Sequence, residues 1–243
     1  MSESHFKNEE IIYKAVEDED VYFVDTKGNK EISSLAIIVD GKDVKRAWVD
    51  SLMEEIKQAA LNPEMELPEV VSTATKNMNE KWNTSQKPQA SVLVARMNNI
   101  TKMFESFSNG GCGMIVRYQD DVIESHIGNE STQNEPTARV AKISRDKRRN
   151  LSTYSNDNMW SLTAYAPNVK NVALFSSGMK QAFMNDEIIK EIITETDNKK
   201  AAKMLSVLSV MGSVLKSSQN DAVKKVSFKD RTALLFDFVD ERE

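Results

Sequence analysis

Histidine and cysteine are nearly absent from this sequence, with two and one respectively in 243 residues. With only His5 and His126, a multi-histidine metal site is excluded and a serine–histidine relay is poorly supplied. Cys112 alone excludes an internal disulfide framework and suits a reducing compartment. Flanked by glycines and without a neighbouring histidine, it reads as a buried structural thiol rather than a nucleophile. No run approaches the ~18–20 apolar residues of a membrane helix. Residues Met1 to Glu10 are polar and acidic, without the apolar core of a signal peptide, so the expectation is a cytoplasmic protein with no membrane contact. Excess positive charge is also missing. A net charge of −5 argues against general affinity for nucleic acid.

What is present is an ordinary globular balance, 40% apolar and 28% charged, without internal repeats. Val21–Val24 and Leu35–Val39 read as strands joined through a Lys27-Gly28-Asn29 turn. The second is a continuous apolar run, as expected of a strand buried on both faces, and it ends at Asp40-Gly41. Asp43 to Leu61 carries Val44, Ala47, Trp48, Leu52 and Ile56 at helical spacing. A second helix is expected over Pro68 to Trp82, with proline allowed in the first turn. Strands are expected at Gln89–Met97, Ile100–Phe107, Met114–Tyr118 and Val122–Ile127, the middle pair separated by the Gly110–Gly113 break. Residues 128–158 are polar and the least core-like, and read as a variable loop or flap. Beyond them come a strand at Val169–Phe175, helices at Asp186–Glu195 and Asn198–Leu215, and a closing strand at Thr232–Val239. His126 falls in a strand and reads as a packed or surface residue, and the methionines at 179, 184, 204 and 211 read as core filler. Strands and helix pairs alternate as blocks, which favours a layered α+β sandwich in one domain, 1–243, over a doubly wound sheet.

Three features could carry chemistry together: an apolar run ending in Asp40-Gly41, another ending in Ser176-Ser177-Gly178, and Asp230-Arg231-Thr232 before the last strand. A carboxylate at a strand end is aimed by the sheet, and several that converge make an oxygen site for Mg²⁺ or Mn²⁺. The order of these features resembles the PPM-type, metal-dependent serine/threonine phosphatases, the protein phosphatase 2C family. In that family a strand ends in Ser/Thr-Asp-Gly, a helix opens with an acidic pair, a second helix follows, and Asp-(Asp/Asn)-x-Thr leads into the final strand. Here the same order reads Ser176-Ser177-Gly178, Asp186-Glu187, the helix through Leu215, and Asp230-Arg231-Thr232. Ile37-Ile38-Val39-Asp40-Gly41 is similar to the family's Val-Phe-Asp-Gly, and Asn8-Glu9-Glu10 stands for its Asn-Glu-Asp. The likeness spans nearly the whole chain.

The resemblance implies a four-layer αββα sandwich, two antiparallel sheets flanked by helix pairs, with a metal cleft at one end. It implies up to two Mg or Mn ions whose shared water becomes the hydroxide that attacks a phosphoserine or phosphothreonine. Carried over residue by residue, Asp40 bridges the ions, the Gly41 carbonyl binds the second, Asp230 binds the first, and Glu9 and Glu10 hold metal-bound waters.

Departures accompany it. Ser177 replaces a carboxylate that binds the first ion, Glu10 replaces an aspartate, and Gly111-Cys112-Gly113 lacks the aspartate of Gly-Asp-Ser. His5 stands where many members have a phosphate-gripping arginine and Lys42 where a histidine often donates a proton; either could contact phosphate as a cation. Two function classes stay open: a phosphatase with weak or conditional, metal-dependent hydrolysis, and a catalytically inactive pseudophosphatase that binds a phosphoprotein or signalling partner. A third reading comes from residues 139–149, with six cations and one acid. It is a solvated face or a contact for an acidic partner, and without interleaved aromatics it does not suit nucleic acid.

Overall fold

The run Leu35–Val39 lies within a sheet and is buried on both faces, as its continuous apolarity predicts. The computed structural model of the chain describes residues 4–14, 20–42, 44–82, 89–127, 139–142, 152–156, 159–179, 186–195, 197–205, 207 and 231–240.

Sheet A has the order β1 (Ser4–Lys14), β12 (Arg231–Asp240), β11 (Val169–Phe175), β6 (Gly113–Tyr118), β7 (Ile123–Ile127), β8 (Arg139–Lys142). Sheet B has the order β2 (Asp20–Asp25), β3 (Ile32–Lys42), β4 (Gln89–Asn98), β5 (Met103–Asn109), β10 (Met159–Tyr165), β9 (Ser152–Asn156). All neighbouring strands are antiparallel.

The period of two along each strand builds the layers. Ala36 and Ile38 of β3, Leu93 and Ala95 of β4, Val172 and Leu174 of β11, and Leu234 and Phe236 of β12 meet between the sheets. The alternate residues Leu35, Ile37 and Val39 face helices α1 (Arg46–Ala60) and α2 (Leu67–Lys81) through Trp48, Leu52, Ile56, Val70 and Ala74. On the other side Ala173, Phe175, Ala233 and Leu235 face α3 (Asp186–Thr194) and a helical stretch at 198–205, through Ile192, Ile193, Ala201 and Leu205. The result is the expected αββα sandwich. Residues 208–215 of the second expected C-terminal helix lie outside the described residues. None of the described helices is long and apolar enough to cross a membrane.

Arg96 ties the α1–α2 turn to sheet B. It is 1% exposed and donates to the carbonyls of Ala60 (3.0 Å), Asn62 (2.8 Å) and Met65 (2.7 Å) while its Nε meets Glu105 at 2.7 Å. A buried guanidinium is tolerated only when its donors are used in this way.

Several elements differ from expectation. β1 carries charge throughout and has a register shift between Lys7 and Glu10 that breaks any apolar alternation. β8 and β9 lie within the stretch expected to be loop, as edge strands where polar residues are tolerated. β10 alternates Trp160, Leu162 and Ala164 inward, a plain period-two pattern. β5 begins at Met103 rather than Ile100, because residues 99–102 form a turn with Lys102 at φ 58°.

Candidate functional site

Asp40 closes the apolar part of β3, and the antiparallel hairpin sets it directly opposite Asp20, the first residue of β2. Register partners share a sheet face, with Cα atoms about 4.5–5.5 Å apart. Ile38, two residues before Asp40, packs between the sheets, so both aspartates face the inter-sheet layer at its open end. Asp20 is buried at 1% exposure, Gly41 is buried and Asp40 half-buried.

Sheet A delivers its donors to the same end. Past Phe175 the chain leaves β11 through Ser176 and makes one tight helical turn at residues 177–179, where the Met179 N–H reaches the Ser176 carbonyl at 3.0 Å. Ser176 grips the start of β12 twice: its N–H donates to the Thr232 carbonyl (2.9 Å), and its Oγ accepts the Thr232 N–H (3.1 Å). The Thr232 hydroxyl donates to Asp20 Oδ2 at 2.9 Å, and the Ser177 N–H donates to Asp40 Oδ2 at 2.9 Å. Asp20 and Asp40 of sheet B thus each accept a donor from sheet A at ordinary hydrogen-bond distance.

Three further elements frame this end. The Tyr13 hydroxyl of β1 donates to the Asp20 carbonyl at 3.3 Å, and Arg46 Nη1, at the start of α1, lies 3.5 Å from both groups. Burial lowers the Arg46 pKa, but hydrogen bonds to Tyr13 and Asp50 outweigh it and the net direction is upward. Arg231, beside Thr232, is buried, and desolvation lowers its pKa. Ser91, the partner of Asp40 on β4, accepts the Gly111 N–H at 2.8 Å. That contact brings the Gly111-Cys112-Gly113 segment to the same end. Gly110 has φ 101°, and a Cβ there would lie 2.8 Å from that of Ser91, so this turn requires glycine.

The expected site residues are thus partly gathered. Asp40, Gly41 and Ser177 come together. Lys42 is two positions further along β3, its backbone paired with Gln89. Asp230 lies outside the described residues; its neighbour Thr232 reaches Asp20. Counted back from Thr232, the four-residue pattern Asp-(Asp/Asn)-x-Thr starts at Lys229 and puts Asp230 in second place.

His5, Glu9 and Glu10 are not brought to Asp40. Glu10 pairs with Leu235, three residues or about 10 Å along β12 from Thr232, and exposed Glu9 is beyond it. His5 pairs with Val239, and its neighbour Phe6 donates to Ser34 Oγ, six residues or about 20 Å along β3 from Asp40. The long register of β1 on β12 carries all three away from the cleft. The acid that stands beside Asp40 is Asp20, which the sequence reading passed over. Its signal was the hairpin itself, since strands folding about residue 30 make 20 and 40 partners.

The described donors alone do not complete a two-ion centre. Among the described residues no group of three or more His, Cys, Asp or Glu side chains is gathered for a metal. Ser177 has a neutral hydroxyl where the resemblance implies a carboxylate, and its N–H occupies one acceptor position of Asp40 Oδ2.

Neither protein-family models nor curated proteins match the chain. Solved structures do. PppA, a key regulatory component of T6SS in Pseudomonas aeruginosa, superposes with a TM-score of 0.62 at 11% identity, covering 98% of this chain and 100% of that one. The Mycobacterium tuberculosis serine/threonine phosphatase PstP gives 0.60 at 11% identity, over 96% and 98%. RsbX, solved in complex with magnesium, gives 0.58 at 12% identity, over 98% and 100%. With two six-stranded antiparallel sheets, helices on both outer faces and likeness over nearly the full length, the chain has the fold of the PPM-type serine/threonine phosphatases.

Proposed function

We propose that the chain is a catalytically inactive relative of these phosphatases in fold, a pseudophosphatase that binds a phosphoprotein or signalling partner without turnover. The observation that carries this reading is the 2.9 Å hydrogen bond from the Ser177 N–H to Asp40 Oδ2. It engages the one carboxylate on which both ions of a hydrolytic centre would depend. Two sequence features agree with it: the neutral Ser177 and the basic Lys229 stand at two positions where the resemblance calls for first-ion carboxylates. Among the described residues only Asp20 and Asp40 bring negative charge to this end, which undercompensates two dications, and no hydrolytic step is derived through them.

Partner contact is assigned to the cleft end and to the basic segment 139–149, which begins on the edge strand β8 and suits an acidic or phosphorylated surface. Interaction through that segment weakens with salt and is lost when Arg145, Lys147, Arg148 and Arg149 are neutralised.

The deciding assay is hydrolysis of a phosphoserine peptide with and without millimolar Mn²⁺, on the natural chain and on Asp40→Asn. The expected result is no turnover above the blank in any arm. Turnover that needs Mn²⁺ and disappears in Asp40→Asn overturns the reading and restores a weak phosphatase.

A further inference from the structure

We infer that Asp20 and Asp40 form a metal-free clasp that fastens the two sheets together at the cleft end, with protein donors taking the role a bridging ion would have. The inference rests on the non-hydrolytic reading of this site and adds what the two acids do there.

The two sheets share no strand ladder, and most side chains between them are apolar; one directional bond, from the Phe6 N–H to Ser34 Oγ, crosses six residues along β3 from Asp40. Apolar contact is non-directional, so it holds the layers together without fixing their relative slide. Directional bonds across the gap do fix it. At the cleft end they are Asp40 Oδ2 with the Ser177 N–H and Asp20 Oδ2 with the Thr232 hydroxyl, both at 2.9 Å. The pairs are not independent. Asp20 and Asp40 are register partners, and the doubled bond between Ser176 and Thr232 locks the two donors to each other. Two rigid couples face one another, which is the geometry of a clasp rather than of two chance contacts. Tyr13 and Arg46 hold the Asp20 carbonyl from outside and keep the start of β2 in place.

Asp20 and Thr232 are buried at 1% and 0% exposure, so their bond is shielded from competing water. The Ser177 N–H takes one acceptor position of Asp40 Oδ2, and the neutral Ser177 hydroxyl beside it brings no charge to compensate a cation there. The clasp ties the same four strands that an ion bridge would tie, through protein donors alone.

The experiment uses the full chain freed of metal with EDTA, then given millimolar MgCl2 or MnCl2. It reads hydrogen exchange at the Ser177 amide, Mn²⁺ broadening of nearby amide signals, and the melting temperature. The expected result is a Ser177 amide protected at least about tenfold in EDTA, unchanged by either salt, without broadening and with Tm constant to about 1 °C. Asp40→Ala should abolish that protection, and Thr232→Val should lower Tm by roughly 3–8 °C whether or not metal is present. Should Asp40→Ala fail to fold, the metal titration of the natural chain and Thr232→Val still decide. Selective broadening around Ser177 by Mn²⁺ with a rise in Tm, and no turnover of phosphoserine peptide, overturns the clasp alone. The same binding with turnover overturns the pseudophosphatase reading as well.

Discussion

Ser177 donates its backbone N–H to Asp40 Oδ2 at 2.9 Å, across 137 positions of sequence and across the boundary between the two sheets. The serine side chain is not what makes the contact, so a substitution there tests the charge of the site without removing the bond. Ser177→Asp adds a carboxylate next to Asp40. In EDTA the variant should be less stable than the natural chain by about 1 kcal/mol from like-charge proximity. Millimolar Mn²⁺ should return part or all of that loss by mass action. Melting curves with and without metal read both effects, and a variant indifferent to Mn²⁺ would show that the charge deficit is not what disfavours ions.

Thr232 reaches Asp20 through its hydroxyl, in a position with no solvent access. Thr232→Val keeps the shape and removes this donor from a buried carboxylate, at an expected cost of about 1–3 kcal/mol in urea unfolding. Thr232→Ser should recover most of it. If valine costs nothing, the bond contributes no net stability.

Arg96 and Glu105 make the buried ion pair beneath the α1–α2 turn. Arg96→Met leaves three carbonyls and Glu105 Oε2 without their donor, with only the Asn98 amide still on Oε1, and should cost about 3–5 kcal/mol. The Arg96→Met/Glu105→Leu double variant should be less destabilised than the sum of the single changes, because it removes the orphaned charge. Additive losses would show that the two side chains are not coupled.

His126 is 1% exposed, with neither ring nitrogen hydrogen-bonded among the described residues; it lies against Trp160 with ring centroids 5.3 Å apart, and its Nε2 is 3.8 Å from Glu124. Burying polar nitrogens without partners costs free energy, so His126→Phe should be neutral or raise Tm, despite being a core substitution. A large drop would mean that the imidazole has a structural task its contacts do not reveal.

Glu55 of α1 meets Lys81 and Asn77 of α2, and hydrogen bonds from Lys81 and then Asn77 hold its carboxyl below the ordinary value of 4.5. A depressed carboxylate pKa contributes stability above the unfolded value, and that stability is lost as pH falls through the folded one. Glu55→Gln should therefore destabilise by no more than about 1 kcal/mol at pH 7, since the pair is largely solvated. The difference should shrink to nothing once the pH is well below the ordinary carboxylate range. Equal destabilisation at both extremes would assign the effect to packing.

Much of the architecture was legible in the residues. Leu35–Val39 announced a strand buried on both sides, Val169–Phe175 and Thr232–Val239 announced strands, and Trp48, Leu52 and Ile56 announced a helix face. β1 was not legible, because its burial comes from β12 and its register shift hides what alternation it has. The resemblance places the acidic motif at Asn8-Glu9-Glu10 from residue types and their spacing before Asp40-Gly41. Asp20 became the partner of Asp40 by hairpin geometry, a relation that residue types do not display.

By itself, then, the sequence determined the layers: the period of each apolar pattern decides which face a strand or helix buries, and that is a local property. Which acids meet, and what they meet, depended on the registers of strands far apart in the chain. One residue of slip moves a side chain to the opposite face. Only the tertiary structure could set Asp20 and Asp40 against the hydroxyl of Thr232 and the amide of Ser177, since those donors come from a different sheet.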